Sequence, residues 1–162
     1  MTHLARDIMQ THVVTVAPET SIADAIRLFV EEDIGGAPVV DEDGLLRGVV
    51  SARDLLRAVA EEHDSPSGGS EYFREDLEFS AREGGSDLED FQDRLGERSV
   101  GDVMTEGCLT VSPDTPADTV ARLFRENRVH RLLVVEGRSL VGIVTTFDLL
   151  ALFDKALRGS EL

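Results

Sequence analysis

A chain of 162 residues fits one domain and holds enough apolar side chains for a core. Its 32 acidic residues against 16 basic ones leave a net charge of −16, which repels nucleic acid and anionic lipid at long range. A lone cysteine, Cys108, excludes an intramolecular disulfide and an all-cysteine metal site, and reads first as a core thiol.

No apolar run approaches the ~18 residues of a membrane span, and no basic segment leads into an apolar one at the N-terminus. A cytoplasmic protein is expected. Lysine occurs once, at Lys155; the other basic residues are arginines. Such a surface resembles that of proteins from salt-adapted cells, where salt screens carboxylate repulsion. The charge is uneven, however. Residues 61–97 hold 13 acids and three arginines, a net of −10. An acidic insert on an ordinary acidic domain is the alternative.

In chain order, "VVTV" (13–16) is a β-branched run and predicts a strand. A turn at Pro18 follows, and Thr20 stands where a helix N-cap belongs. Ile22, Ala25, Ile26, Phe29 and Val30 recur at helical spacing. "APVV", "DEDG" and "LLRGVV" then read as two strands around a turn. A helix closes the copy, with Leu55, Leu56 and Val59 on one face.

Residues 61–97 form an acidic insert broken by Gly68-Gly69 and Gly84-Gly85. Within it, Ser86-x-x-Glu89 resembles a capping box. Leu88, Phe91 and Leu95 share a stripe that Gly96 stops, so a short helix is predicted over 87–95.

The remainder repeats the beginning. Residues 9–40 lie over 104–135 without a gap at an offset of 95, and 48–56 over 142–150 at an offset of 94. Met9 matches Met104, Thr15-Val16 matches Thr110-Val111, and Arg27-Leu28-Phe29 matches Arg122-Leu123-Phe124. The second copy's first helix is marked by Thr115 as N-cap, Pro116 at the first helical position and Asp118 at the third. Ala117, Val120, Ala121 and Phe124 form its apolar face. Leu149, Leu150, Phe153 and Leu157 form that of the last helix. The order β-α-β-β-α, twice, predicts an α+β fold: a repeat over 1–60, the insert over 61–97 and a repeat with a C-terminal helix over 98–162.

The Met-Thr start, the Thr-Val strand, the Pro-x-Thr turn and the Gly-h-h-Ser/Thr-x-x-Asp ending recur in order in both copies. In this they resemble the cystathionine β-synthase (CBS) domain. That resemblance implies a tandem pair packed about a pseudo-two-fold axis, with two clefts between the copies. It also implies a homodimer, and regulation of a separate, unidentified protein by adenosine-bearing ligands.

In each copy the ending puts a hydroxyl at a strand end and an acid in the first turn of the next helix. A helix start offers amide donors and positive potential, which suits phosphate. Ser51 and Thr145 can donate to phosphate oxygens. Asp54 and Asp148 accept only, which suits the paired hydroxyls of a ribose. The alternative is that both acids merely cap their helices.

The family draws a cleft's Asp from one copy and its base-facing strand from the other. One cleft would then combine Ser51, Arg53 and Asp54 with Cys108, Leu109, His130, Arg131 and Leu132. The other would combine Thr145 and Asp148 with Val13, Val14, Gly35, Gly36 and Ala37. "VHRLLVV" (129–135) resembles the form in the nucleotide-sensing γ subunit of AMP-activated kinase, where a His-Arg pair faces phosphates. Arg131 can fork onto a phosphate and His130 can switch charge near neutral pH. Alternatively the pair is a solvated surface feature beside carboxylates. Arg53 and Arg128 read as solvated helix residues.

No glycine-rich phosphate loop, nucleophile elbow or metal-binding histidine spacing is present; His3, His12, His63 and His130 fall in unrelated places. No catalytic residue, metal or cofactor is therefore expected. The leading reading is a regulatory module sensing AMP, ADP or ATP. An assembly protein with empty clefts is the competing one, and S-adenosylmethionine the rival ligand.

Overall fold

The computed structural model describes residues 2–63 and 94–159. They fall into two compact units, one of Met1–Thr15, Val40–Leu46 and Gly107–Leu162, the other of Val16–Val39 and Arg47–Glu106. Neither unit is one repeat: each joins the opening segment of one copy to the sheet and helices of the other. The architecture is α+β, with elements α1 (Ala5–Ile8), α2 (Ile22–Glu32), β1 (Gly36–Val40), β2 (Leu46–Ser51), α3 (Ala52–His63), α4 (Val100–Val103), β3 (Thr110–Val111), α5 (Ala117–Asn127), β4 (Arg131–Glu136), β5 (Ser139–Thr145) and α6 (Thr146–Gly159).

In the unit containing the chain's C-terminal part, the sheet order is β3-β4-β5. β3 runs parallel to β4, and β4 antiparallel to β5 from Arg131 opposite Thr145 to Glu136 opposite Ser139. Gln10 adds an antiparallel bridge on Ile143. Ala5, Val111, Val120, Phe124, Leu132, Val134 and Val144 form the core.

The other unit is built the same way around β1 and β2. Val16 bridges Val39 in parallel, and Thr105 bridges Val49 antiparallel. Its core holds Val16, Ile22, Ala25, Phe29, Ala37, Val39, Val50, Leu55, Ala58, Leu95 and Val100.

The glycine of each Gly-h-h-Ser/Thr-x-x-Asp ending has a steric cause. A Cβ on Gly142 would stand 2.7 Å from the Met9 sulfur and 2.9 Å from the Gln10 carbonyl oxygen; one on Gly48 would stand 2.5 Å from the Thr105 oxygen. The Met-Gln or Met-Thr segment lies directly over that strand, which explains why Met9-Gln10 and Met104-Thr105 recur with the glycine.

Several sequence expectations are corrected. Residues 13–15 lie outside any strand, because only Val16 of the "VVTV" run finds a partner. Ser21, not Thr20, caps α2, accepting from the Asp24 amide at 3.1 Å. Pro116 is itself the N-cap of α5, without a side-chain cap. Thr20 and Thr115 instead accept from Ala17 and Ser112 amides, so their hydroxyls close the preceding turns. Val30 and Ala121 face outward, as do Leu56, Leu150, Phe153 and Leu157. Most of the helix predicted over 87–95 lies outside the described residues; residues 94–97 are helical, and Leu95 is buried.

Asp33 and Arg128 end α2 and α5 in the left-handed region, with φ of 51° and 52°. Glycine is the usual residue there. Among the described residues, no helix is long and apolar enough to cross a membrane.

Candidate functional site

Both strand-to-helix junctions carry the same closed hydrogen-bond set. Asp54 Oδ2 accepts from the Ser51 amide at 2.8 Å and the Ser51 hydroxyl at 2.9 Å, while the Asp54 amide donates to Ser51 Oγ at 3.2 Å. Asp148 Oδ2 accepts from the Thr145 amide at 2.7 Å and hydroxyl at 3.0 Å, and its amide donates to Thr145 Oγ1 at 3.3 Å. This is reciprocal capping with Ser or Thr as N-cap and Asp three residues on. Satisfying orphan amides at a helix start explains the spacing without any ligand. The hydroxyl proton of Ser51 or Thr145 points at its own carboxylate, so donating to a phosphate requires it to rotate.

The cap occupies one carboxylate oxygen and fixes the direction of the other. There the two junctions differ. Asp54 Oδ1 has no hydrogen bond among the described residues. Asp148 Oδ1 accepts from the Gln10 side-chain amide at 3.1 Å. Gln10 is absent from the sequence-derived site, although the repeat carried a signal: it occupies the place of Thr105.

The residue ahead of each hairpin's first strand anchors the next helix. Gly35 O accepts from the Ala52 amide at 2.9 Å, and His130 O from the Thr146 amide at 3.0 Å. The cationic pair His130-Arg131 thus sits at a sheet mouth, with Arg131 opposite Thr145 across β4 and β5. Both side chains are exposed. Inside one unit, then, His130 and Arg131 adjoin Thr145 and Thr146; inside the other, Gly35 and Gly36 adjoin Ser51 and Ala52. A Cβ at Gly35 would meet no atom within 4 Å, and one at Gly36 only ordinary contacts. The folded chain does not demand glycine at either place.

Arg53 is exposed, Leu109 is 39% exposed, and Val13 and Val14 are half-buried. Cys108 is also half-buried, and its desolvation pushes the thiol above its ordinary value. Ala37 and Leu132 belong to the cores, at 4% and 1% exposure. Asp54 also lines a shallow polar depression with Arg57, Glu61, Arg98 and Asp102. Among the described residues no His, Cys, Asp and Glu cluster could hold a metal ion.

Two copies of a helix, a two-stranded hairpin and a second helix, each hairpin feeding a Ser/Thr-x-x-Asp-capped helix, define a tandem module of one small fold. The profile of the CBS domain matches residues 5–61 and 100–155, and the chain belongs to the CBS domain family. MJ1426 of Methanocaldococcus jannaschii is 32% identical over 156 residues, 91% of this chain and 89% of that protein. The chloroplastic CBS domain-containing protein CBSX2 of Arabidopsis thaliana is 37% identical over 134 residues; the match covers 80% of this chain and about half, 54%, of CBSX2. A crystal structure of CBSX2 in complex with AMP matches with a TM-score of 0.68 at 29% identity, covering 95% of this chain and 98% of that one.

Proposed function

We propose that this chain is a regulatory module that binds an adenosine-bearing nucleotide, AMP, ADP or ATP, and modulates a separate protein. Asp54 and Asp148 accept from ribose hydroxyls, and Arg131 with His130 faces phosphate. The observation that carries the reading is Asp54 Oδ1. It is an ionisable oxygen held in place by a helix cap, yet it makes no hydrogen bond among the described residues. An acceptor fixed in this way costs a ligand little reorganisation. The glycines at 35 and 36, which the fold does not require, fit close approach by a flat base. The AMP complex of the related CBSX2 gives the ligand class its precedent. S-adenosylmethionine, cationic and without phosphate, suits Arg131 poorly.

Thermal melting with AMP, ATP and S-adenosylmethionine tests this. A ligand at about 100 times its dissociation constant stabilises the folded state by about 2.7 kcal/mol. No shift with any of them would sink the reading.

A second reading, an assembly module, has its own observation. α6 contributes no buried residue and exposes Phe147 at 78%, Leu150 and Phe153 at 61% and Leu157 at 60%. We propose a homodimer in either case, since such a stripe on one helix marks an association surface.

A further inference from the structure

The two Asp junctions are built alike and finished differently, and the difference lies in one side chain. Gln10 and Ile143 exchange backbone hydrogen bonds of 2.8 and 2.9 Å; Thr105 and Val49 exchange bonds of 2.8 and 3.0 Å. Ile143 precedes Thr145 by two residues, as Val49 precedes Ser51. Gln10 therefore stands to Asp148 as Thr105 stands to Asp54. The close approach over Gly142 and Gly48 fixes both segments in that register.

Side-chain length then decides. The Gln10 amide nitrogen sits two bonds further from the backbone than a threonine hydroxyl, and it reaches Asp148 Oδ1 at 3.1 Å. Thr105 makes no hydrogen bond to Asp54 among the described residues. Asp148 is consequently engaged on both oxygens, two bonds on Oδ2 from Thr145 and one on Oδ1 from Gln10. Asp54 keeps one oxygen without a hydrogen bond among the described residues.

We infer that Gln10 is an intramolecular competitor for the acceptor oxygen of Asp148, so that the Asp54 site fills first with adenosine, which has no phosphate for Arg131 to favour. This rests on the reading that both aspartates accept ribose hydroxyls. A ribose arriving at Asp148 must share Oδ1 with the Gln10 amide or displace it, while the same oxygen of Asp54 has no partner among the described residues. Gln10 is exposed, so the released amide is hydrated and the handicap is modest. The net worth of such a hydrogen bond corresponds to about 2- to 10-fold in affinity.

The test uses calorimetric titration of the full chain with adenosine and with AMP. Asp54→Ala isolates the Asp148 site. Adding Gln10→Thr to that variant, which installs the residue found in the other copy, is expected to tighten both ligands about 2- to 10-fold. The reciprocal change, Thr105→Gln in the otherwise natural chain, is expected to weaken the tighter phase by a similar factor. Gln10→Ala serves as a second variant should the threonine perturb folding, which melting curves report. Equal or weaker binding by the double variant relative to Asp54→Ala overturns the competition while leaving nucleotide binding in place. Absence of binding by the natural chain and every variant overturns both together.

Discussion

Replacing Asp54 by alanine separates the two roles its carboxylate can have. One is structural. Oδ2 accepts the Ser51 amide and hydroxyl at 2.8 and 2.9 Å, and the variant loses both. Loss of a helix cap costs about 0.5–2 kcal/mol, which lowers the melting temperature by roughly 2–4 °C per kcal/mol in a chain of this size. The other role is recognition, through Oδ1, which makes no hydrogen bond among the described residues. A hydroxyl bonded to an ionised carboxylate contributes about 1.5–3 kcal/mol, so its loss weakens binding by roughly 10- to 150-fold. The ribose is common to adenosine and AMP, so both ligands should weaken by a similar factor.

Asp148→Ala removes an equivalent cap, with bonds of 2.7 and 3.0 Å, and should lower the melting temperature comparably. It should cost less in binding, because Gln10 already holds that carboxylate's second oxygen. Calorimetric titration with both ligands, run beside melting curves, reads the two roles independently. If Asp54→Ala melts lower yet binds adenosine and AMP unchanged, the carboxylate is a helix cap and nothing more.

Four further outcomes are expected. Arg131→Ala should weaken AMP about 10-fold or more and leave adenosine unaffected, since only AMP offers a phosphate; equal losses for the two ligands in titration would refute the assignment. Phe153→Glu, on the exposed face of α6, should convert a dimer to a monomer in light scattering, and a natural chain already monomeric at micromolar concentration rules the dimer out. With a net charge of −16, the melting temperature should rise between dilute buffer and about 2 M KCl, and a flat response would contradict the salt-adapted reading. The backbone and side-chain hydrogen bonds from Ser99, with a smaller effect of Arg98, hold Asp102 below its ordinary value of 3.8. Its stabilisation is therefore complete above that value and disappears as pH falls through the lowered one, so the stability gap between the natural chain and Asp102→Asn should close in acid.

The repeat was the most legible feature of the sequence, because an offset of 95 held over residues 9–40 constrains every element at once. Helix positions followed from the 3.6-residue period. Which apolar residues face the core did not follow as well. Leu55 is buried at 3% while its neighbour Leu56 is 69% exposed, and the two are equally apolar. Periodicity marks an apolar stripe, but its edges are set by how far the covering layer extends. Strand propensity failed for the same kind of reason. Val13 to Thr15 are β-branched, yet a strand exists only where a partner's amides and carbonyls lie in reach, and there only Val16 finds Val39. The caps moved by one residue because the threonine hydroxyls had a nearer donor in the preceding turn.

The site was legible to the extent that it is local. Ser51 and Asp54, like Thr145 and Asp148, are three residues apart, and a three-residue spacing across a helix start has one geometry. Local reasoning also supplied both meanings of that spacing, the cap and the ligand acceptor, and the hydrogen bonds make them compatible, because the helix cap uses only Oδ2 of each carboxylate. What distinguishes the two aspartates is not local. Gln10 and Asp148 are 138 residues apart, and they meet because β5 carries a glycine where Met9 and Gln10 cross it. A Cβ at position 142 would stand 2.9 Å from the Gln10 carbonyl oxygen, so that close crossing requires the glycine. The inequality between the two aspartates is thus written in a glycine and a glutamine that belong to different repeats. In the repeat Gln10 and Thr105 occupy the same position, and that single difference carries the inequality.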